Sequence, residues 1–407
     1  MTGDARRFAL QYALANVGAF ICFVPLIGLL LPRRMAELDP VASLVSLSWA
    51  LLCGAVAASL ANIGGGAISD RLALRGGSRI RMIALGLALT CLTFPLIAAA
   101  STVAQLIAGF VLFQICFNLM FAPLSALVTD YVADADKGRM FGLLNLALPI
   151  SQGSVFLIAS IGLTTLTEGL GVISLVAIVC ILPLFLGNWG KALQRLRATH
   201  CAVTPSDSQP EHRPPVSRDF LLAWTARLLV QCASVAVGSY LFLHLTALEP
   251  GKHASGSADQ WFGQLSLMSA LIGICAGWGI GMASDRIHRR RPFLWASALL
   301  VAVGCASLAT ATDRVQVDVG FALFTAGLAA FLTIDGALVA QLVGRVPNRA
   351  FLLGILNLTN TIPGIVVPAL TIAVGQLAQS ASVFLFIAVA ACAACAAGLA
   401  AMIRSVD

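Results

Sequence analysis

The strongest constraint in this sequence is a succession of continuous apolar runs that occupies almost its whole length. A helix needs about 20 apolar residues to cross the hydrocarbon core of a bilayer. Read against their charged, Pro and Gly flanks, the runs fall at 8–31, 43–68, 81–100, 103–129, 140–163, 168–189, 220–245, 259–283, 292–311, 319–343, 351–375 and 381–403. The expected fold is an all-α membrane protein of twelve transmembrane helices. A β-barrel is excluded, because barrel strands alternate apolar and polar residues and these runs do not. So is a soluble globule: 59% of the residues are apolar and 11% charged, with a mean hydropathy of +0.93, against roughly 45–50% and about 25% in soluble domains.

The net charge of +7 raises the question of where 25 Lys and Arg sit. All but Arg227 sit between the runs or at their ends. With the N-terminus inside, the connections facing the cytoplasm hold Arg6, Arg7, Arg71, Arg75, Arg79, Arg81, Lys137, Arg139, Lys191, Arg195, Arg197, Arg213, Arg218, Arg286, Arg289, Arg290, Arg291, Arg345, Arg349 and Arg404. Only Arg33, Arg34, Lys252 and Arg314 face outward. This asymmetry predicts a multi-pass inner-membrane protein with both termini in the cytoplasm, and it accounts for the basic pI without nucleic acid. The eleven cysteines lie almost entirely inside apolar runs and read as small hydrophobes, including the Cys392 and Cys395 pair in the last run. The first run is too long for a signal peptide and lacks a clear cleavage site, so it reads as an uncleaved first helix.

Residues 191–219, rich in Pro, Ser, Arg and His, form the one long polar interruption. They predict a cytoplasmic linker between two bundles of six helices, 1–190 and 220–407. The halves resemble each other. Gly66-Ala-Ile-Ser-Asp70-Arg71 recurs as Gly281-Met-Ala-Ser-Asp285-Arg286, Gly109-Phe-Val-Leu-Phe113 as Gly320-Phe-Ala-Leu-Phe324, and Gly142-Leu-Leu-Asn145 as Gly354-Ile-Leu-Asn357. Three matches at nearly one offset mark an internal repeat, the pseudo-symmetric architecture of alternating-access transporters.

The repeated Gly-x-x-Ser-Asp-Arg box with its trailing arginines resembles the signature loop of the major facilitator superfamily, and the resemblance covers essentially the whole chain. The elongated first box, Asp70-Arg71 followed by Arg75, Gly77, Arg79 and Arg81, is similar to that of the glycoside and sucrose cation-symporter branches. The second box departs from the pattern with His288 where glycine is common. The span-two aspartates of sodium-coupled glycoside symporters have no counterpart, since residues 42–69 contain no acid. The resemblance implies that Gly66, Asp70, Arg71, Gly281, Asp285 and Arg286 serve gating. In physical terms, an aspartate just past a helix end can accept hydrogen bonds from a neighbouring helix N-terminus and pair with arginines, latching two bundles together. The alternative is a plain positive-inside anchor. Asp130, Asp134, Asp136, Lys137 and Arg139 either join this network or form a solvated charge run.

Two charged side chains lie well inside apolar runs, Arg227 in the seventh and Asp335 in the tenth. A charge at membrane depth costs about 2.5–3.5 kcal/mol on insertion scales, so it faces a cavity or a partner and marks a candidate functional site. Arg227 lies roughly 12 Å past Asp219 and Asp335 roughly 15 Å before Arg345, at 1.5 Å per residue, so the two reach similar depths. In the superfamily the first, fourth, seventh and tenth helices line the central cavity, and the resemblance places both residues there. Asp335 reads as a protonatable group stabilised by Arg227, with exchange of that pairing during transport. A static pair that fixes packing, or direct binding of an anionic solute by Arg227, is the alternative.

Asn16, Gln114, Asn118, Gln231, Asn357 and Asn360 form a second set of candidates, with Gln11, Tyr12, Tyr240, Asn145, Gln152 and Gln264. Amides bind hydroxyl-rich or amide-bearing solutes, and they also bond helix to helix. Trp224 either stacks on a solute ring or packs. Gly273, Gly277 and Gly281 fit close helix packing, Asn357-Leu-Thr359 matches a glycosylation acceptor inside a span, and the five histidines show no metal-ligand spacing. The expected function is secondary active transport of a small organic solute by alternating access, coupled to protons, by a monomer in the lipid bilayer without a cofactor. Alternatives are a drug or metabolite exporter, although Pro149 and Gly153 in the fifth span do not complete the glycine-rich pattern of drug–proton antiporters, and a transport-inactive sensor. No paired carboxylates or nucleophile–base pair point to an enzyme.

Overall fold

A computed structural model describes residues 3–74, 78–132, 140, 142–163, 165–186, 218–248, 257–287, 290–343, 349–375 and 381–403. Among the described residues every regular element is helical. These are α1 (Gly3–Pro25), a π-helical turn (Leu26–Leu30), α2 (Leu31–Leu38), α3 (Ser43–Leu74), α4 (Arg79–Ala98), α5 (Val103–Tyr131), α6 (Ala147–Ser160) and α7 (Leu166–Leu186). The second half holds α8 (Arg218–Leu248), α9 (Ser257–Ile287), α10 (Arg291–Ala309), α11 (Arg314–Val343), α12 (Arg349–Gly375) and α13 (Ala381–Ala401). Twelve helical segments are long and apolar enough to cross a membrane, α1 and α2 together making the first. The protein is an all-α membrane protein of twelve transmembrane helices in two pseudo-symmetric six-helix bundles. Packing divides the chain into two compact units, Met1–Arg34 with Cys53–Ser208, and Met35–Leu52 with Gln209–Asp407. The first turns of α3 therefore belong to the second unit. The expected linker lies outside the described residues as far as 217.

Two of the departures from the expected spans have proline as their cause. The first span continues to Leu38 rather than 31, because Pro25 and Pro32 bracket a widened turn instead of ending the helix. A proline ring clashes with the carbonyl four residues back, and an i→i+5 turn accommodates the displacement; the Leu31 N–H accordingly bonds the Leu26 carbonyl. Arg33 and Arg34 are thereby helical residues. Their guanidinium groups donate to the Leu163 carbonyl at 3.2 Å and the Ala100 carbonyl at 2.8 Å, covering the ends of neighbouring segments. The fifth span is interrupted by a turn at Asn145 and Leu146. Pro149 would collide with the carbonyl of residue 145 in a continuous helix, and it is tolerated in the first turn of α6.

The first unit is held by an aromatic ladder. Phe110, Phe113, Phe117 and Phe121 recur at helical spacing on one face of α5 and stack in sequence, with centroids 6.0, 5.6 and 5.5 Å apart. Phe94 of α4 and Phe23 of α1 stack onto it at 5.6 and 5.4 Å, and the Phe20 edge meets Phe121. The repeat has a packing meaning. A Cβ on Gly109 would lie 3.2 Å from Ile97 Cγ1 on the preceding helix, and one on Gly320 would lie 2.9 Å from Ser307 Cβ on its own preceding helix. The repeated glycine therefore brings equivalent helix pairs together in the two halves.

Candidate functional site

A set of polar groups in the second unit converges from α8, α11 and α12. Trp224, Arg227 and Gln231 recur at three- and four-residue steps and so share one face of α8. Arg227 Nη1 donates to Asp335 Oδ2 of α11, forming an ion pair in which the arginine side chain is 16% exposed and the aspartate 1%. Arg227 Nε donates to Thr359 Oγ1 of α12 at 3.0 Å, and Nη2 reaches Asn360 Oδ1 at 3.4 Å. Thr359 is set up as an acceptor, since its own hydroxyl hydrogen goes to the Leu356 carbonyl at 2.6 Å. Gln231 Nε2 also donates to Asn360 Oδ1, at 2.9 Å, and Asn360 Nδ2 passes the chain to Asn357 Oδ1 at 3.2 Å. The Trp224 indole N–H donates to the Ile355 carbonyl at 2.8 Å, fastening that ring to α12.

Five of the residues singled out from sequence, Arg227, Gln231, Asp335, Asn357 and Asn360, thus occupy one network, and Trp224 bonds α12 separately. Thr359 is the member that sequence reasoning missed. The available signal was the run of Asn357, Thr359, Asn360 and Thr361 within an apolar span, of which the sequence singles out only the two asparagines as candidates. Asp335 Oδ1 is buried and has no hydrogen-bond partner among the described residues. A buried carboxylate with half its acceptor capacity unused is an expensive arrangement in apolar surroundings, and expensive intramembrane charges are retained for function or for pairing.

The candidates of the first unit do not converge in this way. Asn16 Nδ2 donates to the Tyr12 carbonyl of its own helix at 2.9 Å. Asn118 Nδ2 likewise donates to the Gln114 carbonyl at 2.8 Å, while its Oδ1 accepts from Asn62 Nδ2 of α3 at 3.1 Å. Gln114 Oε1 and Gln11 Oε1 are buried without partners among the described residues. Several other candidates have local roles. Tyr240 and Ser48 share a hydroxyl–hydroxyl bond of 2.8 Å within the second unit, and Gln264 accepts from Arg314, away from Asp335. His244, buried on α8, joins that helix to its neighbours: Nε2 donates to the Leu308 carbonyl of α10 at 3.0 Å, and Nδ1 lies 3.3 Å from Ser382 Oγ of α13.

At the first signature box, Asp70 Oδ1 pairs with Arg79 Nη2 at 2.8 Å, and Arg79 Nη1 donates to Ser69 Oγ at 2.7 Å. The box thereby ties the end of α3 to the start of α4. Asp70 is 64% exposed and Arg79 9%. Arg71 and Arg286 are exposed, Gly66 has open space around its Cβ position, and a Cβ on Gly281 would touch Thr333 Cγ2 at 3.5 Å. Asp285 lies in α9 with its side chain outside the described residues, as is that of Asp130; Arg75, Gly77, Asp134, Asp136, Lys137, Arg139, His288 and Arg289 fall outside them altogether.

Residues 8–313 match the family model for the Major Facilitator Superfamily. The fold is similar to that of a bacterial homologue of the human lysosomal transporter Spinster in an inward-facing, unoccupied conformation, with a TM-score of 0.65, 14% identity, and 99% of this chain and 97% of that one covered. It is similar to a D-xylose–proton symporter with a TM-score of 0.71 and 12% identity over 98% of each chain. It is also similar to the nucleoside transporter NupG, with a TM-score of 0.71, 12% identity, and 98% of this chain and 100% of that one covered. At these identities the likeness is one of fold alone. No curated protein matches the sequence significantly.

Proposed function

The chain belongs to the major facilitator superfamily, and from that premise we propose that it is a secondary active transporter that moves a small organic solute across the inner membrane by alternating access, with protons as the coupling ion. The observation that carries this reading is the Arg227–Asp335 pair, seated inside two transmembrane helices with Asp335 Oδ1 unpartnered. That oxygen is where the carboxyl takes a proton. Once it does, Arg227 loses its charge partner and is left to Thr359, Asn360 and whatever solute lies against the amides, so protonation and solute binding act on one guanidinium. The structural similarity to a D-xylose–proton symporter and a nucleoside transporter supports carriage of a small solute. The distribution of Lys and Arg supports cytoplasmic termini and a cytoplasmic linker at 191–219 between bundles 1–190 and 220–407. Gly66, Asp70, Arg71, Gly281, Asp285 and Arg286 act as the cytoplasmic gate of a monomeric carrier.

Reconstitution into proteoliposomes with an imposed pH gradient tests the coupling. Wild type accumulates solute when the gradient is inward and acid outside, whereas Asp335→Asn exchanges solute across the membrane but no longer accumulates it. Gradient-driven accumulation that survives in Asp335→Asn overturns the assignment and returns the pair to packing.

A further inference from the structure

Where α3 ends and α4 begins, the first unit holds a groove of about 410 Å³ between the two helices. Ser78 and Arg81 stand at its mouth, and Leu72, Leu85 and Leu89 line its sides. Leu72 and Leu85 are exposed. Glycine at 86 lets α4 close onto α5, where a Cβ would lie 2.7 Å from Met120 Cα, and Leu119 of α5 forms the floor. From Ser78 to Leu89 the groove follows α4 for roughly 16 Å, at 1.5 Å per residue. That is the depth of one leaflet, half of a hydrocarbon core about 30 Å thick.

The mouth is basic and its charge is unspent. Arg81 and, on the last turn of α3, Arg71 are exposed, and among the described residues neither guanidinium has a hydrogen-bond or ion-pair partner. The acid beside them is already committed, since Asp70 pairs with Arg79 at 2.8 Å. The bundle itself does not call for this arginine: the third residue of α4 is Arg81, whereas the third residue of the equivalent α10 is Phe293. A guanidinium matches the oxygens of a phosphate diester, and basic pockets between transmembrane helices on the cytoplasmic side take anionic lipid head groups. A zwitterionic lipid would bring its own ammonium group up to two guanidinium groups that lack a partner. We propose that this groove is a site for one anionic glycerophospholipid of the cytoplasmic leaflet, its phosphate held by Arg81 with Arg71 beside it and one acyl chain lying between α3 and α4 over Leu119. The distribution of Lys and Arg supports the cytoplasmic side for this end. The site is separate from the Arg227–Asp335 network and independent of what that network binds.

The test is native mass spectrometry of the purified full chain in a neutral detergent, titrated with phosphatidylglycerol or with phosphatidylcholine of the same acyl chains. One phosphatidylglycerol is expected to stay bound per chain, at concentrations about tenfold or more below those needed for phosphatidylcholine. Arg81→Ala removes only an exposed, unpaired side chain and is expected to weaken retention about fivefold, the share of one arginine next to anionic lipid. Arg81→Lys restores part of it. Leu85→Trp fills the slot while leaving the mouth charged, and is expected to abolish the tight site; melting of the variants in lipid-free detergent checks that they are folded. Arg6→Ala, at an exposed arginine that does not line the groove, leaves retention intact. The proposal is overturned if phosphatidylcholine is held as tightly as phosphatidylglycerol, or if folded Arg81→Ala retains the lipid unchanged. It is overturned equally if Arg6→Ala weakens retention as much as Arg81→Ala, which would mean a general basic surface. Retention that survives Leu85→Trp, or that inorganic phosphate displaces, would reduce the groove to an anion site without a lipid chain and also overturn it.

Discussion

The two halves share a helix order, a repeated glycine at equivalent helix contacts and three sequence boxes, yet their polar chemistry is arranged in opposite ways. In the second unit one arginine gathers an aspartate, a threonine and an asparagine from two other helices, and Gln231 of its own helix joins that asparagine. In the first, Asn16 bonds its own helix, Asn118 bonds its own helix and one neighbour, and the interior is filled by stacked phenylalanines. The packing that makes a bundle is therefore common to both halves, whereas the converging polar network belongs to the second alone. Backbone geometry survives a wide choice of apolar side chains, whereas a buried charge needs a countercharge set beside it.

The largest way to break this comparison is to remove a charge. Arg227→Ala leaves the Asp335 carboxylate uncompensated and is expected to cost about 3–5 kcal/mol, seen as a lower melting temperature in detergent that the double variant with Asp335→Asn largely restores. Asn118→Ala in the first unit is expected to cost about 1 kcal/mol. Equal losses from the two variants would erase the distinction between the halves. Next come the repeated glycines. Gly320→Ala overpacks against Ser307 at an expected cost of about 1–3 kcal/mol, and Gly109→Ala costs less, because Ile97 stands farther off and can rotate; melting of the two single variants gives the order directly. A smaller effect is expected on solute affinity. Asn16→Ala and Asn118→Ala change it by less than about threefold, since these amides serve helix packing; a larger loss in a binding titration would bring the first unit into the site. Smallest is Asp70→Asn: its carboxylate is exposed although the Arg79 partner is buried, and the pair is expected to be worth about 1 kcal/mol and to weaken with added salt. A melting shift that persists in high salt would give that pair more than a surface role.

The spans were legible because hydrocarbon imposes a length and a composition on any helix that crosses it. Arg227 and Asp335 were legible for the same reason in reverse, as charges where none belongs. That they pair with each other was readable only as matched depth, because 108 residues separate them and the rotation of each helix decides which face its side chains occupy. Thr359 could not be told from the many threonines that bond their own helix, and it does that too. Its use as an acceptor depends on where Arg227 Nε arrives. The interrupted fifth span was in principle visible, since Pro149 forbids a continuous turn back to Asn145, but strong apolarity on both sides outweighed one proline.

The widened turn at Leu26–Leu30 also sets how this protein can be edited. A π-turn holds one residue more than the α-helical path requires, and deletion of a single residue within it would let α1 and α2 run on as one regular helix. The cost would fall elsewhere. Each residue of a helix turns it by about 100° and advances it by about 1.5 Å, so the deletion would swing Arg33 and Arg34 off the Leu163 and Ala100 carbonyls that they now cover. The extra residue is a register setting: it phases the far end of the first span against its neighbours while the near end keeps its place on the aromatic ladder.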